Sequence, residues 1–95
     1  MRIKNIIWLP DVIDKLDWKH NVVPEEVEQV FSGQPMYRRI ERGKVRGEDL
    51  YTALGQTDAG RRLIVFFIHK ASGEALIISA RDMTQKDRRQ YERQK

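Results

Sequence analysis

Apolar residues along this chain change their period several times, and each change marks an element. Ile3 to Trp8 is apolar and β-branched enough for a short strand. Pro10 suits the first turn of a helix, and Asp11 suits its positive end. Val12, Ile13 and Leu16 then form one apolar stripe, and His20 falls on the same side one turn later. Trp18 falls on the opposite side, where a large aromatic has no intramolecular purpose. Asn21 can end this helix in the left-handed conformation. Pro24 opens a second helix, with Glu25 and Glu26 in its first turn and Val27, Val30 and Phe31 as its buried face. Ser32-Gly33-Gln34-Pro35 breaks it.

The period then becomes that of strands. Met36 to Arg42 reads as an edge strand, because it is polar, and Gly43 to Gly47 as a loop. Leu50 to Gln56 is a strand, followed by the turn Thr57-Asp58-Ala59-Gly60. Leu63 to Ile68 is an unbroken apolar run, as in a strand buried on both faces. Ala71-Ser72-Gly73 turns the chain into a strand from Glu74 to Arg81. Thr84 caps a last helix, with Asp87 three residues on as a capping box. The order β-α-α-β-β-β-β-α predicts an α+β fold. Its sheet is antiparallel, of about four to five strands, with two N-terminal helices and one C-terminal helix on one face. The last helix is polar all round apart from Tyr91, so its own domain holds it weakly unless aliphatic stems or a partner help.

A chain of 95 residues fits one domain. It has no cysteine, which excludes disulfides and thiolate metal sites. Its two histidines, His20 and His69, give little support to a histidine metal site, so neither metal nor cofactor is expected. No stretch approaches the roughly 18 apolar residues of a membrane span, and the N-terminus lacks the pattern of a secretory signal. The expected location is the cytoplasm. Net charge is +4, and its distribution says more than its size. Arg38, Arg39, Arg42, Lys44 and Arg46 stand close together against one acid, Glu41. Lys86, Arg88, Arg89, Arg93 and Lys95 crowd the last segment. Such clustering suits a polyanion, though it is equally the pattern of a solvated surface.

Ile77-Ile78-Ser79-Ala80-Arg81 is an apolar strand that ends in two small residues and delivers an arginine at its tip. The planar fork of an arginine so placed suits a phosphate, and the competing role is an ion pair with Asp82 or a helix-end carboxylate. His20 is the titratable group whose ordinary pKa suits proton transfer near neutrality, and its competing role is to cap the first helix.

Three constellations together resemble the BrnT toxins of bacterial type II toxin–antitoxin systems, small ribonucleases with a RelE-like fold. The first is Trp8, then Lys19-His20, then the Glu-rich helix Glu25 to Phe31. The second is Ala53-Leu54-Gly55-Gln56-Thr57, then Gly60-Arg61, then Leu63 to Ile68. The third is Ile78-Ser79-Ala80-Arg81 with Arg88 and Tyr91 downstream. The resemblance implies metal-independent cleavage of mRNA and neutralisation by a small ribbon-helix-helix antitoxin. It also allows a homodimer or a hetero-oligomer with that antitoxin. It assigns catalysis to His20, Arg61 and Arg81, and RNA contacts to Lys19, Arg46, Glu48, Arg88 and Tyr91. Trp18, by its exposed placement, is assigned to a partner interface. The basic segments around Arg42 and Arg88 are expected to flank one groove, with His20 and Arg81 at its floor.

The sequence departs from the family pattern where polar groups are usual. Leu9 stands for an Asp, Val12 and Leu16 for a Lys and an Asn, Asn21 for a Gly, and Leu50 for an Arg. These departures keep a second reading open: a homologue that binds RNA or an antitoxin but has lost cleavage.

Overall fold

In the computed structural model, which describes residues 1–94, the chain runs β1 (Asn5–Ile7), α1 (Pro10–His20), α2 (Pro24–Ser32), β2 (Met36–Glu41), β3 (Asp49–Gln56), β4 (Arg62–His69), β5 (Glu74–Asp82) and α3 (Gln85–Gln94). Lys95, one of the cations of the last segment, lies outside the described residues. The expected element order is observed, and the boundaries differ by one or two residues.

The strands form one sheet in the order β1-β5-β4-β3-β2. β2 to β5 are hairpin neighbours and pair antiparallel. The sheet is thus mostly antiparallel, as expected, and β1 makes it mixed by pairing parallel to β5, with Ile6 opposite Ala75. Its edge position follows from chain order. The hairpins fill the sheet from β2 to β5, which leaves the N-terminal strand an edge, and it joins beside β5, where it runs the same way. Lys4 N–H extends the pairing to Gly73 C=O at 2.9 Å.

The alternation of side chains divides the sheet into two faces. On one, Ala53, Leu63, Val65, Phe67, Ala75, Ile77 and Ala80 pack with Leu16 of α1 and with Val27 and Val30 of α2. Phe31, Tyr37, Tyr51 and Phe67 close its outer end edge to face, tilted or stacked, at 5.2–6.3 Å between ring centroids. Gly55 allows α2 this close, since a Cβ there would sit 3.1 Å from Val30. On the other face Leu54 and Ile64 pack with Met83 and Tyr91. The third helix therefore does not share a face with the first two, contrary to the pattern-based expectation. β4 explains why: its residues are apolar on both sides, so each face needs a cover.

α3 is held by few groups. Thr84 Oγ1 accepts from Asp87 N–H at 3.1 Å, and Asp87 Oδ2 accepts from Thr84 N–H at 2.9 Å, which closes the expected capping box. Tyr91 is 8% exposed and is the apolar anchor of the helix. Tyr91→Ala is expected to cost about 3–5 kcal/mol, the range for truncating a large buried aromatic side chain. Hydrogen exchange should show the α3 amides losing protection before those of α1 and α2, and equal loss in all three helices would contradict this anchoring role.

Candidate functional site

The C-terminus of α1 sets the site. Asn21 adopts φ 53° and ψ 43°, and Val22 N–H bonds back to Leu16 C=O at 3.0 Å. This turn leaves the carbonyls of His20 and Asn21 without helical partners. Arg61, the residue after the β3–β4 turn, meets both: Nη2 donates to His20 O at 3.0 Å and Nη1 to Asn21 O at 2.6 Å.

The same guanidinium joins two more elements. Its Nε and Nη2 donate to the two carboxylate oxygens of Asp82, at 2.8 and 3.2 Å. Its Nη1 reaches both oxygens of Glu26, at 3.1 and 3.2 Å. An arginine has five N–H donors, and here all five are engaged. Glu26 also accepts from Val23 N–H at 3.2 Å and so caps α2. One side chain thus ties α1, α2, β4 and β5 together.

Asp82 is held well below the usual carboxylate range, chiefly by its bond to Arg61, against a smaller effect of burial; the charges of Arg61, Arg88 and His20 add to the depression. His20 and Arg88 therefore lie within electrostatic reach of one carboxylate. Arg61 is shifted upwards, first by the hydrogen bond to Asp82. Beside them, Gln56, Gly60, Arg61, Arg62, Asp82 and Arg88 line a shallow recess. The Arg88 guanidinium makes no hydrogen bond or ion pair among the described residues. Arg62 is paired to Glu92 at 2.8 Å.

Arg81 lies on the other face of β5. It pairs opposite Ile64, its guanidinium stands 5.5 Å over the Phe66 ring, and Nη1 donates to Asp87 Oδ2 at 2.8 Å and to Asp82 O at 3.1 Å. Burial would raise the Asp87 pKa, but the Thr84 backbone, Arg81 and the Thr84 hydroxyl outweigh it and hold it low. Arg81 thus clamps the start of α3, the helix-end carboxylate weighed as its competing role.

The remaining residues spread over the molecule. Lys19 is exposed beside His20, and Trp18 is 77% exposed on the outer side of α1. Arg46 is exposed in the loop before β3, and Glu48 is ion-paired to Lys70. That loop is at the Asp49 end of β3, whereas Arg61 follows its Gln56 end, a separation of about 24 Å for a strand of this length. Arg46 and Glu48 therefore stand apart from His20. The single groove with His20 and Arg81 at its floor is not what the fold builds, since those two residues lie on opposite faces of the sheet.

Sequence reasoning did not assign Asp82 and Glu26 to Arg61. A signal for Asp82 was present: strand alternation sends adjacent residues to opposite faces, so an Arg81 facing α3 turns Asp82 towards α1. Glu26 had no such signal, because only the fold brings α2 beside the β3–β4 turn. Among the described residues no cluster of three or more His, Asp or Glu could hold a metal ion.

A family model described as the ribonuclease toxin BrnT of type II toxin–antitoxin systems matches residues 14–87. No individual curated protein matches the chain significantly.

Two outcomes are expected from this geometry. Arg61→Lys should destabilise the protein by about 1–2 kcal/mol in chemical denaturation, because an ammonium cannot serve two carboxylates and two carbonyls at once. A loss within 0.5 kcal/mol or so, the size of an ordinary surface change, would remove Arg61 as the junction. Asp82 and Asp87 have depressed pKa values in the fold, so their stabilisation is complete above the ordinary carboxylate pKa and is lost as pH falls through the folded values. Stability should accordingly decline below about pH 4, and less steeply in Asp87→Asn than in the parent when both are melted across that range.

Proposed function

The chain belongs to the BrnT family of ribonuclease toxins of type II toxin–antitoxin systems, and on that premise we propose that it is a RelE-like endoribonuclease that cleaves mRNA in the cytoplasm without a metal ion. Cleavage of this kind needs a base for the 2′-hydroxyl proton, positive charge on the crowded phosphate, and an acid for the leaving 5′-oxygen. His20 is the proton-transfer group. Lys19 and Arg88 supply cations that are free to meet a phosphate, and Arg62 borders the same recess. Arg61 acts as a positioning residue rather than a phosphate ligand, since its donors are engaged.

The observation that carries this reading is the anchoring of the α1 end at His20: its carbonyl is bonded to Arg61, and His20 and Arg88 both lie within electrostatic reach of Asp82. A small antitoxin of the ribbon-helix-helix type would neutralise the toxin, with the exposed Trp18 as one contact.

A specific observation favours the second reading, a homologue that binds but does not cleave. Arg61 and Arg81, two of the cations expected at the phosphate, are both occupied by carboxylates. Induced expression in a bacterium separates the two. Under the first reading the wild type arrests growth and cuts RNA, and His20→Gln lowers cleavage about 10²–10⁴-fold, the usual worth of general acid–base help. Intact RNA and normal growth with the wild type would leave the binding reading standing.

A further inference from the structure

α3 covers only part of its face of the sheet. It crosses the strands from β5, where Arg81 meets Asp87, to β2, where Gln90 and Arg93 stand beside Met36 and Arg38. Beneath it lie Met36, Leu54 and Ile64. Four residues further along β3 the register defines a second row on the same face. Leu50 is opposite Ile68, Ile68 opposite Leu76, and Leu76 opposite Ile7. Ile40, at the β2 bulge beside Leu50, continues it.

The orientation of this row follows from its neighbours. Ile6, Tyr51, Phe67, Ala75 and Ile77 belong to the opposite core, so the residues alternating with them point away from it. The row is aliphatic on every strand of the sheet, and none of its members is fully buried: Ile40 is 49% exposed and the others are half-buried. Among the described residues no helix packs over it.

Its dimensions suit a helix. Five strands span about 19 Å, which about 13 residues of α-helix would match. The row lies about 13 Å from the one under α3, enough for a second helix alongside. Its charged surroundings suit an acidic partner. Arg38 and Arg93 on the α3 side, and Arg42, Lys44 and Arg46 in the loop after β2, form no ion pair among the described residues. The acids nearby are Glu41, Glu48, Asp49 and Glu74; Glu48 is paired to Lys70, Asp49 to Arg39, and Glu74 is held by Ser72 and Asn5. A second copy of this chain would bring two such cationic rims together, which argues against self-association.

We propose that an amphipathic helix of the antitoxin, apolar on one side and acidic along its flanks, docks across Ile40, Leu50, Ile68, Leu76 and Ile7 beside α3. The assignment rests on the family reading for the existence of an antitoxin, and on the sheet for its place and chemistry. It adds a contact remote from Trp18, so the partner embraces the toxin from both sides.

The test uses the full chain and the polypeptide encoded by the adjoining reading frame, with affinity measured by calorimetry. Ile40→Glu and Ile68→Glu should each weaken binding about 30-fold or more, the loss typical of an interface anchor. Arg38→Glu should weaken it too and flatten its salt dependence. Ile40 is half-exposed at an edge bulge, so Ile40→Glu reports on the surface even if Ile68→Glu fails to fold. Unchanged affinity in folded Ile40→Glu and Ile68→Glu would overturn the docking site while leaving the family reading intact. Absence of binding by the wild type would overturn it together with the antitoxin part of that reading, and RNA cleavage by the same preparation would still report the ribonuclease part. A free chain that dimerises in sedimentation and becomes monomeric with Ile40→Glu would give the surface to a second copy and also overturn the proposal.

Discussion

Five donors of one guanidinium hold this fold in register. Arg61 accounts for the last carbonyls of α1, the first-turn carboxylate of α2 and the carboxylate at the end of β5. These groups are the ones a helix–sheet junction leaves unsatisfied, and those in partly buried surroundings would cost energy unpaired. Removing the arginine would leave two carboxylates side by side with two free carbonyls. The hydrophobic clusters supply most of the driving force, but their contacts are non-directional. The arginine fixes how the helices sit at the end of the sheet, and with that the place of His20.

The same economy governs the opposite face. α3 has almost no apolar surface of its own, so it depends on Tyr91 and on the corner formed by Arg81, Asp87 and Thr84. A short helix held at its start and at one aromatic cannot cover a sheet of five strands. The aliphatic row left beside it follows from that shortfall. Burying the row would stabilise the protein, and among the described residues no further element does so.

Positive charge is consequently split into two regions rather than one groove. Arg88 and Lys19 stand near the Arg61 end of the sheet, with His20. Arg42, Lys44 and Arg46 stand near the Asp49 end, beside the open row. The first group has the surroundings for phosphate chemistry, and the second borders an apolar surface. A substrate that is a polyanion and a partner that is acidic call for the same residue types, so composition gave them one appearance.

The order and kind of the elements were legible in the sequence because periodicity is local. Alternation marked the strands, prolines marked the helix starts, and Asn21 marked the end of α1. Trp18 opposite the Val12, Ile13 and Leu16 stripe was recognisable as exposed for the same reason, and it is. Local pattern also marked β4 as buried on both faces, which already required a cover on each side. Which helix covers which face, the parallel placement of β1, and the partners of Arg61 and Arg81 were decided by tertiary structure. Those depend on residues far apart in the chain, such as Glu26, Arg61 and Asp82, whose charges say that they will pair but not with whom. An arginine that binds a phosphate and one that binds two carboxylates have the same sequence signature, and only the fold brings up the acid that tells them apart.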